Sequence, residues 1–494
     1  MANIILFHKR GIGGTFGKVL ISMFEKANWR VRWNNELSDE IKSEFGVLQG
    51  GIISPKLFTE YLSDIGSYLD NSKGIVLGEL LMYYLLYADD LALCSDSAEG
   101  LQKQLDGLLD FCKKWHLIVN LSKTKVLVFN RRNVREKFYY DGQEIERSDQ
   151  YKYLGVWFNT RKFDFLATTQ AYLVEQANKA LFQVYKLAGP AVGKLSPPLA
   201  FKMFDTQILP ILEYGSETWM GSKAVDVIEK FHLKFLKSTL NVRTQTNTEA
   251  VYAETGRLPL YIRHQIKALK FWIRLLYLPE NYPVKQAYNT LKYFDTLGQK
   301  NWCTKIRKIL ENIGYSNLWE EQSPDDCNSS LHDMQKNLES SFKDKSMNKI
   351  QKLGGNGKLT TYRIFKNQFH TEPYLWDIKD QRYRATLTRF HLSAHNLAVE
   401  TGRHAKPKIP RCNRICEKCD TGLVEDEFHF LMVCSKHSHN RQVLFDAIKP
   451  HIQNFETLEI NEKFRKIMMC QEPLCLVPLG KFLYDGFSQD ATRP

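Results

Sequence analysis

The sequence has no apolar stretch long enough to cross a membrane. Its longest, residues 80–88, runs nine positions, where a helical span takes ~20. The start does not read as a secretory leader, because in residues 1–10 the basic positions Lys9 and Arg10 follow the apolar patch instead of preceding it. Cysteine is sparse, with 10 in 494 residues, and six of them (Cys94, Cys112, Cys303, Cys327, Cys470, Cys475) are scattered. That excludes a small disulfide-stapled scaffold and points to an intracellular setting, nuclear or cytoplasmic. No internal repeat is present. Residues 1–38 contain no aspartate. Acids are also in deficit, 55 against 68 Lys+Arg, so the net charge is +13. This surplus fits a polyanionic partner. A hydrophobic content of 43% excludes global disorder, and the length suits roughly three domains.

Short strands and helices alternate over the first 160 residues. Residues 29–33 and 41–47 read as strands, with Asn34, Asn35, Ser38 and Asp39 supplying turn chemistry between them. Ser54-Pro55 opens a helix expected over 56–69, and Leu101, Leu105, Leu108, Leu109, Cys112 and Trp115 give helical spacing over 97–115. A strand is expected over 125–129, a hairpin turn at Asp141-Gly142, and a last strand-like segment over 151–158. From about 165 to 318 the pattern is helical. Ser196-Pro197 reads as a helix start, and Val225, Ile228, Phe231 and Phe235 form one apolar stripe. Residues 321–358 read as a boundary, with a polar loop at 323–330.

Asp89 and Asp90 stand between the apolar runs around Tyr87-Ala88 and Leu91-Ala92-Leu93. Two adjacent charges there are costly unless they are turned outward or neutralised. A plain hairpin turn does the first. A divalent cation does the second, and paired carboxylates holding two Mg²⁺ ions ~3.5–4 Å apart are a general solution for nucleotidyl transfer.

The surrounding residues form an ordered set. Gly46-Val47-Leu48-Gln49-Gly50-Gly51-Ile52-Ile53-Ser54-Pro55 comes first, then Leu86-Tyr87-Ala88-Asp89-Asp90, then Asn120-Leu121-Ser122-Lys123-Thr124, then Tyr151-Lys152-Tyr153-Leu154-Gly155-Val156. In this order the four resemble the motifs of reverse transcriptases of non-LTR (LINE-like) retrotransposons. Tyr214-Gly215-Ser216-Glu217-Thr218-Trp219 and Glu254-Thr255-Gly256-Arg257-Leu258-Pro259 resemble the downstream helical region of these proteins, so the likeness covers most of the chain. The resemblance implies an RNA-directed DNA polymerase acting on an RNA template, a DNA primer or target and deoxynucleoside triphosphates. It implies Asp89 and Asp90 as Mg²⁺ ligands, and Lys123 beside the triphosphate. It implies Gln49, Gly50 and Tyr87 at the nucleotide and template, with Tyr153, Leu154 and Gly155 as the primer grip. It also implies a third metal-binding carboxylate from an earlier strand. With no aspartate in residues 1–38, and with Asp39 and Asp64 read as turn and helix positions, the chain is expected to be truncated at its N-terminus and inactive alone.

Near the other end, Cys416-x₂-Cys419-x₉-His429-x₄-Cys434 has zinc-ligand spacing. Cys412, His437 and His439 are alternative ligands. Glu425-Asp426-Glu427-Phe428-His429 resembles the core of the family's C-terminal zinc knuckle. Around it Arg403, Lys406, Lys408, Arg411 and Arg414 read as a phosphate-contacting face, which Arg382, Tyr383, Arg384 and Arg389 extend.

The expected architecture is α+β: a partial right-hand polymerase palm (1–160), a mostly α-helical thumb and connector (161–320), a polar linker and basic helical segment (321–400), a CCHC zinc knuckle (401–445) and a tail (446–494). The alternative to an enzyme fragment is a non-catalytic, zinc-containing nucleic-acid-binding remnant.

Overall fold

The computed structural model describes residues 11, 13–25, 28–42, 50–129, 136–161, 165–187, 195–220, 227–352 and 358–490. They fall in two compact units. One takes Met1–Thr168 with Leu278–Gln299, and the other takes Thr169–Tyr277 with Lys300–Pro494.

The first unit is built from short antiparallel pairs. Strand β1 (Asn28–Trp29) pairs with β4 (Ile41–Lys42), and β2 (Arg32–Trp33) with β3 (Glu36–Leu37). Asn34 and Asn35 turn between β2 and β3 with φ of 44° and 69°, the two positive values a type I′ hairpin needs. The single strand expected over 29–33 is instead broken, because the Val31 N–H donates to Ser38 Oγ at 2.9 Å and leaves the ladder. Of the second expected strand, residues 43–47 lie outside the described residues. Next come β5 (Ile75–Leu77) with β6 (Leu80–Met82), β7 (Tyr84–Tyr87) with β8 (Asp90–Leu93), β9 (Tyr139–Tyr140) with β10 (Gln143–Glu144), and β11 (Gln150–Tyr153) with β12 (Val156–Asn159). Among the described residues these remain separate two-stranded ladders. The strand expected over 125–129 is reduced to one bridge, Val126 to Arg147.

One helix, Ala98–Trp115, supports this unit. Ser97 Oγ accepts the Gly100 N–H at 3.2 Å, and the helix ends where His116 turns left-handed. Its face of Leu105, Leu108, Phe111, Cys112 and Trp115 packs with Leu62, Ile65 and Leu69, and Leu86, Leu91 and Leu93 of β7–β8 rest on the same core. Leu62 to Leu69 does not continue the helix Ser54–Tyr61. The hydroxyls of Ser63 and Ser67 donate to the carbonyls of Glu60 and Asp64, and the chain tightens into a 3₁₀ turn at Ile65–Ser67. At Gly107 the helix touches that segment so closely that a Cβ would lie 2.0 Å from the Tyr68 carbonyl oxygen. Gly107→Ala should therefore destabilise this unit by about 3 kcal/mol or more, read as a drop in thermal midpoint; an unchanged midpoint refutes the close approach.

Residues 278–299 depart from the expected division, because the helix Pro283–Thr296 lies against β5 and β6. The second unit is helical. Ile228, Phe231 and Phe235 of the expected stripe are buried on the helix Val227–Thr239, while Val225 lies outside the described residues. The polar run after Gln322 is a helix, Pro324–Ser329, and not a loop. Ser323 caps it, Pro324 takes the first position, and Asp325 and Asp326 favour the positive end of its dipole. The helix Leu331–Lys352 follows and buries Met334, Leu338 and Ile350, so this stretch is part of the second unit. No helix among the described residues is long and apolar enough to cross a membrane.

Candidate catalytic hairpin and metal centre

Strands β7 and β8 close on the pair Tyr87–Asp90, leaving Ala88 and Asp89 as a two-residue turn with Ala88 at φ 51°. Leu86 and Leu91 face the core, and Tyr87, Asp89 and Asp90 are exposed at the tip. Neither carboxylate has a hydrogen bond or ion pair among the described residues. Below the tip, the buried Gln104 donates to the carbonyls of Asp70 at 3.1 Å and Cys94 at 3.0 Å, tying the end of β8 to the supporting helix. In the sequence Gln104 gives one weak signal, an amide on the apolar face of a helix, and pattern reading passes over it.

Leu154 and Gly155 make the tip of β11–β12 with φ of 46° and 80°. The Tyr153 hydroxyl before them is pushed up in pKa, first by burial and then by the Asp90 carboxylate and the Cys94 thiol, so this hairpin and the Asp89-Asp90 hairpin lie together. Lys123 is exposed on a tight loop organised by Asn120. The Asn120 carbonyl accepts the N–H groups of Lys123 and Thr124 at 3.1 Å, and its Oδ1 accepts the Ser122 hydroxyl at 2.7 Å. Gly50 has φ 84° and open space where a side chain would stand. Gln49 lies outside the described residues. Asp39 is exposed, and Asp64 sits at the start of the 3₁₀ turn. Among the described residues no further carboxylate, His or Cys joins Asp89 and Asp90 in a metal-ligating group.

Such a group does form in the second unit. The ligand atoms of Cys416, Cys419, His429 and Cys434 all lie within 4.8 Å of one another. The Cys416 N–H donates to the Leu423 carbonyl at 2.9 Å beside the Ile415–Val424 bridge, which folds the first two cysteines into a knuckle. A single wide turn, His429–Val433, carries His429 and ends at Cys434, whose N–H closes it by donating to the His429 carbonyl at 2.8 Å. The Cys416 and Cys434 sulfurs are 4.0 Å apart, and His429 Nε2 lies 3.4 Å from Cys419 Sγ. A zinc tetrahedron, with bonds of ~2.3 Å to sulfur and ~2.0 Å to nitrogen, needs edges of roughly 3.8 and 3.5 Å. Burial pushes the Cys416 thiol up to about 12 in the absence of a cation. Cys412 is exposed, and Cys412, His437 and His439 stand outside the group.

Three consecutive acids hold this centre. Asp426 Oδ1 accepts the His429 N–H at 3.0 Å. Glu425 accepts Lys418 Nζ at 2.6 Å and the Ala398 N–H at 2.7 Å. The buried Glu427 binds the Thr361 hydroxyl at 2.9 Å, the Ser393 hydroxyl at 3.1 Å and His395 Nε2 at 2.9 Å. The linear motif marks these acids but does not reveal their scaffold role, which depends on partners up to 66 positions away.

The expected basic face is largely turned inward. Arg403 pairs with Glu400 at 3.1 Å, Arg411 pairs with Asp426 at 2.9 Å, and Arg414 donates to the carbonyls of Ile409 and Val399. Lys406 and Lys408 remain exposed. Two further buried carboxylates organise the helices. Glu229 caps the helix Leu260–Leu276 by accepting the Leu260 N–H at 2.7 Å, and Glu254 accepts from Tyr362, Tyr374 and His391.

Residues 8–158 match the family model described as reverse transcriptase (RNA-dependent DNA polymerase). Residues 8–158 are thus a reverse transcriptase domain, similar to those of non-LTR (LINE-like) retrotransposons. The chain is 30% identical over 216 residues to a probable RNA-directed DNA polymerase from transposon BS of Drosophila melanogaster, covering 41% of this chain and 22% of the relative. It is 28% identical over 203 residues to a Pol polyprotein from a type-2 retrotransposable element of the same organism, covering 39% and 18%. It is 25% identical over 209 residues to the RNA-directed DNA polymerase from mobile element jockey, covering 41% and 22%. The matched part of the chain thus spans about a fifth of the length of these relatives. The reverse transcriptase match ends at Phe158, within β12, and so takes in both hairpins.

Proposed function

We propose that this chain is part of an RNA-directed DNA polymerase, and that Asp89 and Asp90 are its metal-binding carboxylates. The observation that carries this reading is the β7–β8 tip, two exposed neighbouring carboxylates with no cation paired to them among the described residues, next to the Tyr153 hairpin. Two Mg²⁺ ions at such a site supply an activated primer hydroxyl and a stabilised pyrophosphate leaving group. The protein's own residues do the positioning. Tyr153, Leu154 and Gly155 hold the primer end, Gln49, Gly50 and Tyr87 line the nucleotide and template, and Lys123 faces the triphosphate of the incoming deoxynucleotide. The RNA template and DNA primer or target are the partners. Zn²⁺ is the ion for Cys416, Cys419, His429 and Cys434, since three thiols and an imidazole at tetrahedral spacing suit it.

Among the described residues the carboxylate set is short of one member, so in this reading the chain alone has no useful polymerase activity. On a primed RNA template with Mg²⁺, it is expected to match its Asp89→Ala variant. A form joined upstream to a palm segment with the missing aspartate is expected to extend the primer, and to stop doing so with Asp89→Ala. Extension by the chain alone above the Asp89→Ala control overturns the inactivity. Failure of both forms favours the second reading, a non-catalytic nucleic-acid-binding protein, which the four-ligand cysteine–histidine group supports, since Asp89 and Asp90 gain no third ligand among the described residues.

A further inference from the structure

Three cavities of the second unit lie along one loop and share their walls. The largest, about 670 Å³, is bounded by the 241–243 loop, the helix Gln381–His391 and the metal-centre segment around Lys418. A second, about 270 Å³, shares Asn241 with it. A third, about 370 Å³, shares Arg243, Ala394 and His395 with the first. The shared walls set the three openings side by side along one track.

Cations line it from end to end: Arg384 in the second cavity, Arg389 and Arg243 in the first, and Lys358 beside Arg243 in the third. The three arginines differ from Arg403 and Arg411 in their partners. Arg243 donates to the Asn396 side-chain oxygen at 2.6 Å, Arg389 to the Asn241 carbonyl at 3.0 Å, and Arg384 to the Ile378 carbonyl at 2.6 Å. These acceptors are neutral, so they orient the guanidiniums without cancelling their charge. Of the acids that border the track, Glu425 is held by Lys418 and Glu400 by Arg403, which leaves Glu417 against the arginines.

We propose that this track binds a single strand of nucleic acid through its phosphates, with Arg243 and Arg389 as the main contacts. The inference rests on the reading of the chain as a nucleic-acid-handling protein, and it moves the contact surface away from Arg403, Arg411 and Arg414. A concave surface of this kind can take an unpaired backbone, and a duplex of the same sequence should bind more weakly than the single strand by anisotropy. The amides of Asn241 and Asn396 and the hydroxyls of Thr386 and Thr401 stand along it, where they can meet base edges or sugar hydroxyls.

The test is fluorescence anisotropy of a labelled single-stranded RNA with the full chain over a range of salt. Arg243 and Arg389 are exposed, so Arg243→Gln/Arg389→Gln should keep the fold, checked by an unchanged thermal midpoint. That variant is expected to bind at least ~10-fold more weakly, with a salt slope shallower by roughly 1.4, about 0.7 for each phosphate no longer neutralised. Lys406→Gln/Lys408→Gln is expected to weaken binding less. If the wild-type chain binds and the arginine variant binds equally well, the track is wrong and the nucleic-acid reading stands. If the wild-type chain binds no RNA at all, both fall. Displacement of the strand by pyrophosphate at equal phosphate concentration also overturns the proposal, because it reassigns the track to a small anion.

Discussion

Cys434→Ser is expected to abolish the zinc binding proposed above and to open the fold around residues 398–434, while Cys412→Ser leaves both intact. The size follows from where the ligands sit. Cys416 and Cys434 are buried, the strand pairing between them is the Ile415–Val424 bridge with the Glu425 N–H donating to the Arg414 carbonyl, and Phe430, Leu431 and Met432 of the ligand-bearing turn are buried in the same interior, so loss of a ligand is felt by all of them. In segments of this kind metal binding is itself folding free energy, about 10–16 kcal/mol in comparable peptides. A serine retains one oxygen at the position but loses the thiolate that a soft donor set requires, so most of that stabilisation goes. Metal content by elemental analysis and protease cleavage within 398–434 are the two readings. One zinc per chain retained in Cys434→Ser, or lost in Cys412→Ser, sinks the assignment. A chelator added to the wild-type chain should reproduce the cleavage pattern of Cys434→Ser.

The contrast between Cys412 and Cys434 also shows where the sequence is readable. Local spacing carries the metal centre, because C-x₂-C and H-x₄-C each fix two donors through a few backbone bonds that belong to the motif itself. It cannot choose between Cys412 and the four, since that depends on the Ile415–Val424 bridge turning Cys416 inward and leaving Cys412 exposed. The turns are legible for the same local reason: Asp141-Gly142 adopts two positive φ values at its hairpin tip. Residues whose role is set by a folded partner are not. Arg403, Arg411 and Arg414 look like a free basic face in the linear chain, but Glu400, Asp426 and the carbonyls of Ile409 and Val399 take them up. The helix Pro283–Thr296 looks like one more helix of a bundle, and its place beside β5 and β6 depends on contacts about 200 positions away in sequence, beyond the reach of pattern reading.

Glu254→Ala is expected to destabilise the second unit by about 3–5 kcal/mol, the range for removing one member of a buried charged network. The side chain is fully buried. Its Oε1 accepts the Tyr374 hydroxyl at 2.6 Å and His391 Nδ1 at 2.9 Å, and its Oε2 accepts the Tyr362 hydroxyl at 2.8 Å. Alanine leaves all three donors buried without that acceptor, and it removes a negative charge that acts together with the buried Lys366–Glu372 pair. Glu254→Gln keeps the shape and one acceptor oxygen, so it should cost less, about 1–3 kcal/mol. Equal losses for the two variants would mean that packing, not the network, holds the site. Acid provides an independent check on the same group. Burial on its own pushes the Glu254 carboxyl up, but His391, the Lys366 charge and Tyr374 outweigh it and hold it below its ordinary value of 4.5. Glu229 is held low in the same way: burial raises it, and His232, Tyr252 and the Leu260 N–H outweigh that. At Glu427, burial is outweighed by His395 and Thr361, which hold the carboxyl at about 2. Carboxyls that are more acidic folded than unfolded stabilise the fold above the unfolded value and lose that contribution as pH falls through the folded one. The second unit should therefore weaken progressively from pH 4.5 downward, reaching to about 2 for Glu427. In a pH series of thermal melts, Glu254→Gln should show a shallower acid decline than the wild-type chain, and parallel declines would remove Glu254 from the acid response.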